Sequence, residues 1–161
     1  MEQETIPSVF DQVAEYPQFE YATTGNRFVN FLIDTVVYYM FNIVVLFITG
    51  AALAISGKTA EDIQEIFSNK AVPYTMALAN FILLYTVIEG ASKGRSLGKL
   101  VTGTVAVQES LQPITWKNAL LRTLCRMIPF EAFSALGGNP WHDSLTHTTV
   151  IKKQKNMFTT L

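Results

Sequence analysis

Apolar residues form two long runs along the chain, and each run is long enough to cross a lipid bilayer. The first extends from Phe28 to Ile55 and the second covers about residues 71–91. A helix rises about 1.5 Å per residue, so about 18 apolar residues span roughly 27 Å, which is close to the thickness of the hydrocarbon core. The pattern predicts a membrane helical hairpin with spans at about 28–55 and 71–91.

Polar residues interrupt the first run at helical spacing. They recur every three or four positions and therefore form one stripe on a helix: Arg27, Asn30, Asp34, Tyr38 and Asn42. An ionisable side chain at the depth of Asp34 costs about 3 kcal/mol or more, so by default it indicates a function or a specific partner. The stripe is therefore expected to face protein, water or a cavity rather than lipid.

A third apolar region, at about 115–136, is predicted to be helical but contains several charges. Asn118, Arg122 and Arg126 lie four residues apart on one face, and Pro129 is expected to kink the helix. The charges favour an amphipathic helix that lies at, or dips into, the cytoplasmic interface. A full third span is the alternative, but it would place the basic C-terminal residues outside the cell.

Shorter elements complete the predicted fold. Residues 101–107 and 148–151 alternate in polarity and are rich in β-branched residues, which predicts short strands that pair in a small cytoplasmic sheet. Between the two spans, Thr59 and Asp62 have the spacing of a capping box, which predicts a short helix. The fold class is therefore mainly α, with a helical hairpin, a third amphipathic or membrane-dipping helix and short β segments.

Charge distribution predicts the topology, because Lys and Arg favour short cytoplasmic loops. Basic residues flank the start of the first span and the end of the second, whereas the intervening loop, 56–70, is acidic on balance. We therefore expect a multi-pass protein with a cytoplasmic N-terminus. The expected organisation is an acidic tail at 1–26 without the pattern of a signal peptide, a membrane domain at 27–151 and a basic tail at 152–161.

Composition excludes several classes of function. With 12 Lys and Arg against 13 Asp and Glu, the chain has no basic excess, and no nucleic-acid partner is expected. One cysteine excludes an intrachain disulfide, and two histidines do not form a metal-binding pattern, so neither a metal nor a cofactor is predicted. The segment 96–99 lacks the glycines of a phosphate-binding loop, and its basic residues are expected to face anionic lipid. No nucleophile, base and oxyanion donor occur together, so the protein is not expected to be an enzyme.

Several short motifs together resemble the RDD family of small bacterial membrane proteins. They include Gly25, Arg27 and Phe28 leading to Asp34, then Ser96, Gly98, Lys99 and Gly103, and finally Leu121, Arg122, His142, Asp143, Thr148 and Val150. The resemblance covers about residues 21–151, and the arginine and two aspartates of the family name match Arg27, Asp34 and Asp143. It implies a location in the bacterial cytoplasmic membrane. Some relatives are described as Na⁺ or Li⁺/proton antiporters, so the resemblance also implies this activity as a possibility.

Two hypotheses follow for the charged residues. In the first, Arg27, Asp34 and Asp143 form a charge network in a scaffold or assembly subunit, and Arg122 or Arg126 reaches Asp34. In the second, Asp34 is the site at which a proton competes with Na⁺ or Li⁺. The supporting polar residues in the second hypothesis are Asn30, Asn42 and Asn80.

Beside Asp143, His142 can form a pair that titrates near neutral pH, or it can cap a turn. Two or three spans are few for a transport pathway within one chain. The expected partners are therefore the lipid bilayer and either a second copy of the chain or another membrane protein.

Overall fold

The computed structural model describes residues 19–134 and 140–153. Two long helices dominate it: α1, Thr24–Ile55, and α3, Ala71–Ala91. Both are long and apolar enough to cross a membrane, and their most apolar windows are not buried inside the protein. The predicted hairpin is confirmed, with α1 beginning four residues earlier than expected because Thr23 caps it by accepting a hydrogen bond from the Asn26 amide. Large parts of the predicted tails, 1–18 and 154–161, lie outside the described residues.

A short helix, α2, Ala60–Ser68, joins the two long helices. Its capping box is present as predicted: the Thr59 hydroxyl accepts from the Asp62 amide, and the Asp62 carboxylate accepts from the Thr59 amide at 2.8 Å. The Asp62 carboxylate therefore has a pKa below its ordinary value, because the Thr59 amide and hydroxyl bond its charged form.

The predicted third helix is shorter than expected. Helix α5, Trp116–Cys125, ends in a turn, and a four-residue helix, α6, Glu131–Ser134, follows it. Pro129 explains the end of α5, because a proline has no amide hydrogen and its ring clashes with the carbonyl four residues earlier, which belongs to Cys125. Phe130 then has φ of 67°, a left-handed conformation that turns the chain. The last part of the predicted helix, 135–136, lies outside the described residues.

The predicted sheet has two antiparallel strands, β1, Thr104–Gln108, and β2, Thr148–Lys152. Residues 101–102, expected in the first strand, instead end a one-and-a-half-turn helix, α4, Leu97–Thr102. A one-turn helix, α7, Trp141–Ser144, precedes β2. Both faces of β1 are buried: Ala106 packs with Ile114, Ala119 and Val150 on one face, and Val105 and Val107 pack with Ile151 on the other.

The small elements pack against particular ends of the long helices. Helix α4 lies against the first half of α1, and α5 lies along α3. Gly90 makes the second contact possible, because a Cβ added there would lie 2.2 Å from the Trp116 ring. The sheet and the helices α4 to α7 thus form one layer at the start of α1 and the end of α3, which we call the polar layer.

Candidate functional site

Asp143 and Glu89 are the two acidic centres of a buried charge network in the polar layer. Asp143 forms ion pairs with Arg27 and Arg122, the latter with 2.5 Å between Nη1 and Oδ1. Glu89 forms ion pairs with Lys99, Arg122 and Arg126. Both acidic side chains are fully buried. Since Arg122 contacts both carboxylates, the network is continuous from the start of α1 to the end of α3.

The network neutralises charges that would otherwise be costly to bury. Burial alone would raise the pKa of Asp143, but the Arg122 and Arg27 guanidiniums hold it well below the ordinary value. Burial lowers the pKa of Lys99 to about 8 although Glu89 favours its charged form. Burial also opposes the charge of Arg126, but Glu89 and the more distant Asp34 raise its pKa above the ordinary value. The pKa shifts of Asp143 and Arg126 therefore favour their charged forms at neutral pH.

Asp34 forms hydrogen bonds with the start of α4 rather than with the basic residues of the charge network. Its Oδ2 accepts from the Ser96 hydroxyl at 2.6 Å, and its Oδ1 accepts from the Gly98 amide at 2.8 Å. Ser96 is also the N-cap of α4 and accepts from the Lys99 amide. Asp34 therefore joins the start of α4 to α1, and its hydrogen bonds among the described residues are to this segment rather than to Arg122 or Arg126.

The asparagines expected beside Asp34 bond to other groups. The Asn30 side-chain amide is oriented so that its nitrogen faces acceptors. It donates to the Thr102 hydroxyl at 2.6 Å and the Gly98 carbonyl at 2.9 Å. Asn80 donates to Asn42 Oδ1 at 2.9 Å and so links α3 to α1 farther into the membrane. Asn42 and Asn80 thus lie apart from the polar layer, whereas Asn30 of α1 bonds to α4 in that layer.

His142 lies at the edge of the network. Its Nδ1 forms a hydrogen bond with Glu131, and its Nε2 lies 3.5 Å from Asp143 Oδ1. Burial lowers the pKa of His142 to about 4, which disfavours the alternative in which it titrates near neutral pH. The same histidine holds the pKa of Glu131 below its ordinary value, although burial works in the opposite direction.

Sequence reasoning missed the roles of Glu89 and Lys99. Lys99 was expected to face lipid and no network role was predicted for Glu89, but the two form an ion pair and Lys99 is only 3% exposed. One signal was available: Glu89 ends an apolar run and precedes Gly90, against which a ring of another helix, that of Trp116, packs closely.

A cavity of about 590 Å³ borders the network. Ionisable side chains line its end at the polar layer: Arg27, Asp34, Lys99, Arg126, Glu131 and His142. Aromatic side chains of α1 and α3 line the rest, among them Phe31, Tyr38, Phe81 and Tyr85. Within the described residues, no group of three or more His, Cys, Asp and Glu side chains has the arrangement of a metal site.

The model of one protein family matches residues 21–152, nearly the whole chain, and its description is RDD family. The chain belongs to the RDD family. This membership and the two apolar helices point to a membrane protein. Arg27 and Asp143, which the resemblance of the motifs assigns to the arginine and one aspartate of the family name, are joined directly in this RDD protein, whereas Asp34 joins α1 to α4. No curated protein and no solved structure matches the chain.

Proposed function

We propose that this RDD protein is a scaffold or assembly subunit of the bacterial cytoplasmic membrane. The observation that supports the proposal is the continuous buried network of Arg27, Asp143, Arg122, Glu89, Lys99 and Arg126. Removing one member of a buried ion pair commonly costs about 3–5 kcal/mol, so such a network holds its helices in one arrangement. A fixed arrangement is what a subunit needs in order to present its spans to a partner.

The proposed topology is multi-pass with a cytoplasmic N-terminus. Arg27 at the start of α1 and Glu89 near the end of α3 belong to one network, so both of these helix ends lie on the same side of the membrane. Lys93, Arg95 and Lys117 lie on that side, which by the bias of basic residues is the cytoplasm. The polar layer, including the sheet, is then cytoplasmic and α2 lies outside.

The bonding of the buried carboxylates supports a structural role over ion exchange. Both oxygens of Glu89 and both oxygens of Asp143 accept from basic side chains. Both oxygens of Asp34 accept from Ser96 and Gly98. A cation would have to compete with these donors for each oxygen. The oxygens of these three carboxylates are thus occupied by hydrogen bonds that hold helices together.

The proposed partner binds the outer faces of the spans within the membrane. The partner is a second copy of this chain or another membrane protein, because both spans carry large exposed apolar side chains, for example Phe47 at 79%. Polar bonds between the spans include Tyr38 to the Ala77 carbonyl, at 3.0 Å, and Asn80 to Asn42. These bonds keep the two spans together while their outer faces stay available.

The test is the mass of the protein in discs cut directly from native membranes by an amphipathic polymer. We expect discs that hold either two or more copies or one copy with a second protein in fixed ratio. An Arg122→Met variant should lose this association because the network no longer fixes the spans, whereas Lys58→Met in the outer loop should retain it. Discs that hold a single copy and no fixed second protein contradict the proposal.

A second candidate function is exchange of Na⁺ or Li⁺ for protons at Asp34. The observation that favours it is that Asp34 lines the cavity between the two spans, at a depth where a carboxylate is costly. Proteoliposomes of the purified protein should then show proton flux on addition of either cation, and Asp34→Asn should abolish it while Asp62→Asn does not. Flux at the wild-type rate in Asp34→Asn contradicts this candidate.

A further inference from the structure

The cavity between the spans is large enough to hold a small molecule. Its volume of about 590 Å³ falls within the roughly 300–1,000 Å³ that is usual for ligand sites. Three of its lining residues are aromatic side chains of α1 that are also exposed on the surface of the helix: Phe28 at 58%, Phe31 at 52% and Tyr39 at 63%. The cavity is therefore continuous with the face of α1 that meets lipid, and a molecule can enter it from the bilayer.

The two ends of the cavity differ in chemistry. The membrane end is aromatic, with the Phe81 and Tyr85 rings 4.6 Å apart and Tyr38 beside both. The end in the polar layer carries the Arg27, Lys99 and Arg126 cations. The Arg126 guanidinium lies 5.2 Å from the centre of the Tyr85 ring, where the two ends meet. A molecule that fills the cavity must therefore have an apolar part and a polar part.

Hydrogen-bonding capacity at the polar end determines the kind of polar group. Arg126 Nη2 donates to Glu89 at 2.6 Å, whereas the buried Nη1 has no hydrogen-bond partner among the described residues. The acidic side chains that line the cavity already accept from protein donors: Asp34 from Ser96 and Gly98, and Glu131 from the His142 amide. Guanidinium groups only donate. The open capacity is thus for an acceptor, and a charged oxygen acceptor forms the strongest bond with a guanidinium.

We infer that the cavity binds an anionic phospholipid, with an oxyanion of its head at Arg126 and an acyl chain against the aromatic residues. The phosphate supplies the acceptor oxygens, and the chain enters from the bilayer past Phe28 and Phe31. This site goes beyond the proposed scaffold function, because it uses the cavity rather than the outer faces of the spans.

The first part of the test uses the wild-type protein, stripped of lipid in detergent. Native mass spectrometry measures binding of phosphatidylglycerol, phosphatidylcholine and palmitate to it. We expect phosphatidylglycerol to bind about tenfold more tightly than phosphatidylcholine. Equal affinities for the two phospholipids overturn the inference. Binding of palmitate without phosphatidylglycerol also overturns it and assigns the same oxyanion chemistry to a free fatty acid.

The second part locates the lipid with two matched variants. Thr35→Trp fills the cavity from its α1 wall, and Val36→Trp adds the same ring to the exposed face of the same helix, outside the lining. Thr35→Trp should weaken phosphatidylglycerol binding about tenfold, whereas Val36→Trp should change it by less than about twofold. Equal binding by the two variants shows that the lipid lies on the outer surface and overturns the cavity site.

Discussion

Arg27 and Asp143 form an ion pair although they lie 116 positions apart in the sequence. Arg27 is in the first turn of α1, and Asp143 is in the one-turn helix before the last strand, so this contact closes nearly the whole described chain. Their side chains are 9% and 0% exposed. Forming a contact at this separation lowers the conformational entropy of the chain. The network that Asp143 shares with Arg122 helps to offset that loss.

Arg27 and Asp143 should be energetically coupled. We expect a double-mutant cycle with Arg27→Met and Asp143→Asn to give a coupling free energy of about 0.5–3 kcal/mol, because each change removes the same buried ion pair. The measurement is unfolding free energy in detergent. As a control, the same cycle on the exposed Glu20 and Lys152 pair should give at most about 1 kcal/mol. Additive effects of Arg27→Met and Asp143→Asn would contradict the importance of this contact.

Glu89 should be the most sensitive single acidic position. Glu89→Gln leaves Lys99, Arg122 and Arg126 without their shared carboxylate, and we expect it to lower the unfolding free energy by about 3–5 kcal/mol. Thermal unfolding in detergent measures the effect. Glu65→Gln, on the exposed part of α2, is the matched control and should leave the melting temperature unchanged. Equal melting temperatures for both variants would show that the network does not stabilise the fold.

Hydrophobic patterning predicts the spans well but the partners of the charges poorly. The end of α1 and both limits of α3 follow from the length of two apolar runs, and Arg27 and Asp143 are recognisable as candidates for a network. The partners of Glu89 are not, because Lys99, Arg122 and Arg126 lie 10, 33 and 37 positions away and only the packing of three helices brings them together. Local spacing carries no information about such contacts.

The remaining differences between the predicted and the observed helices arise at helix ends. Pro129 ends α5 four residues earlier rather than kinking it, and the left-handed backbone of Phe130 then turns the chain. Ser96 and Asp34 together start α4, and the helix then extends over residues 101–102, where alternation favours a strand, so tertiary hydrogen bonds override local propensity there.

Gly98 should not tolerate a larger side chain. An added Cβ would lie 2.5 Å from the Asn30 carbonyl oxygen, a main-chain atom that cannot move without bending α1. We expect Gly98→Ala to lower the unfolding free energy by about 1–3 kcal/mol, because it also displaces the amide that donates to Asp34.

Gly50 is the matched control for this prediction. It lies within α1 with no atom near the position of an added Cβ, so Gly50→Ala should stabilise the helix by about 0.5–1 kcal/mol. Denaturant titration in detergent compares the two variants. A Gly98→Ala protein as stable as Gly50→Ala would contradict the close approach of α4 to α1.

His142 should make stability depend on pH between about 6.5 and 4. Burial lowers its pKa to about 4, while Glu131 and Asp143 favour its charged form and Arg122 and Arg126 oppose it. The unfolded chain therefore binds a proton that the folded chain does not. The contribution of neutral His142 to the unfolding free energy is fully present above about pH 6.5. It falls by up to about 1.4 kcal/mol for each pH unit as the pH is lowered toward 4.

Unfolding free energies at pH 7 and pH 5 should differ less in His142→Gln than in the wild type, whereas His147→Gln, whose side chain is 82% exposed, should keep the wild-type difference. An unchanged difference in His142→Gln would assign the pH dependence to other groups.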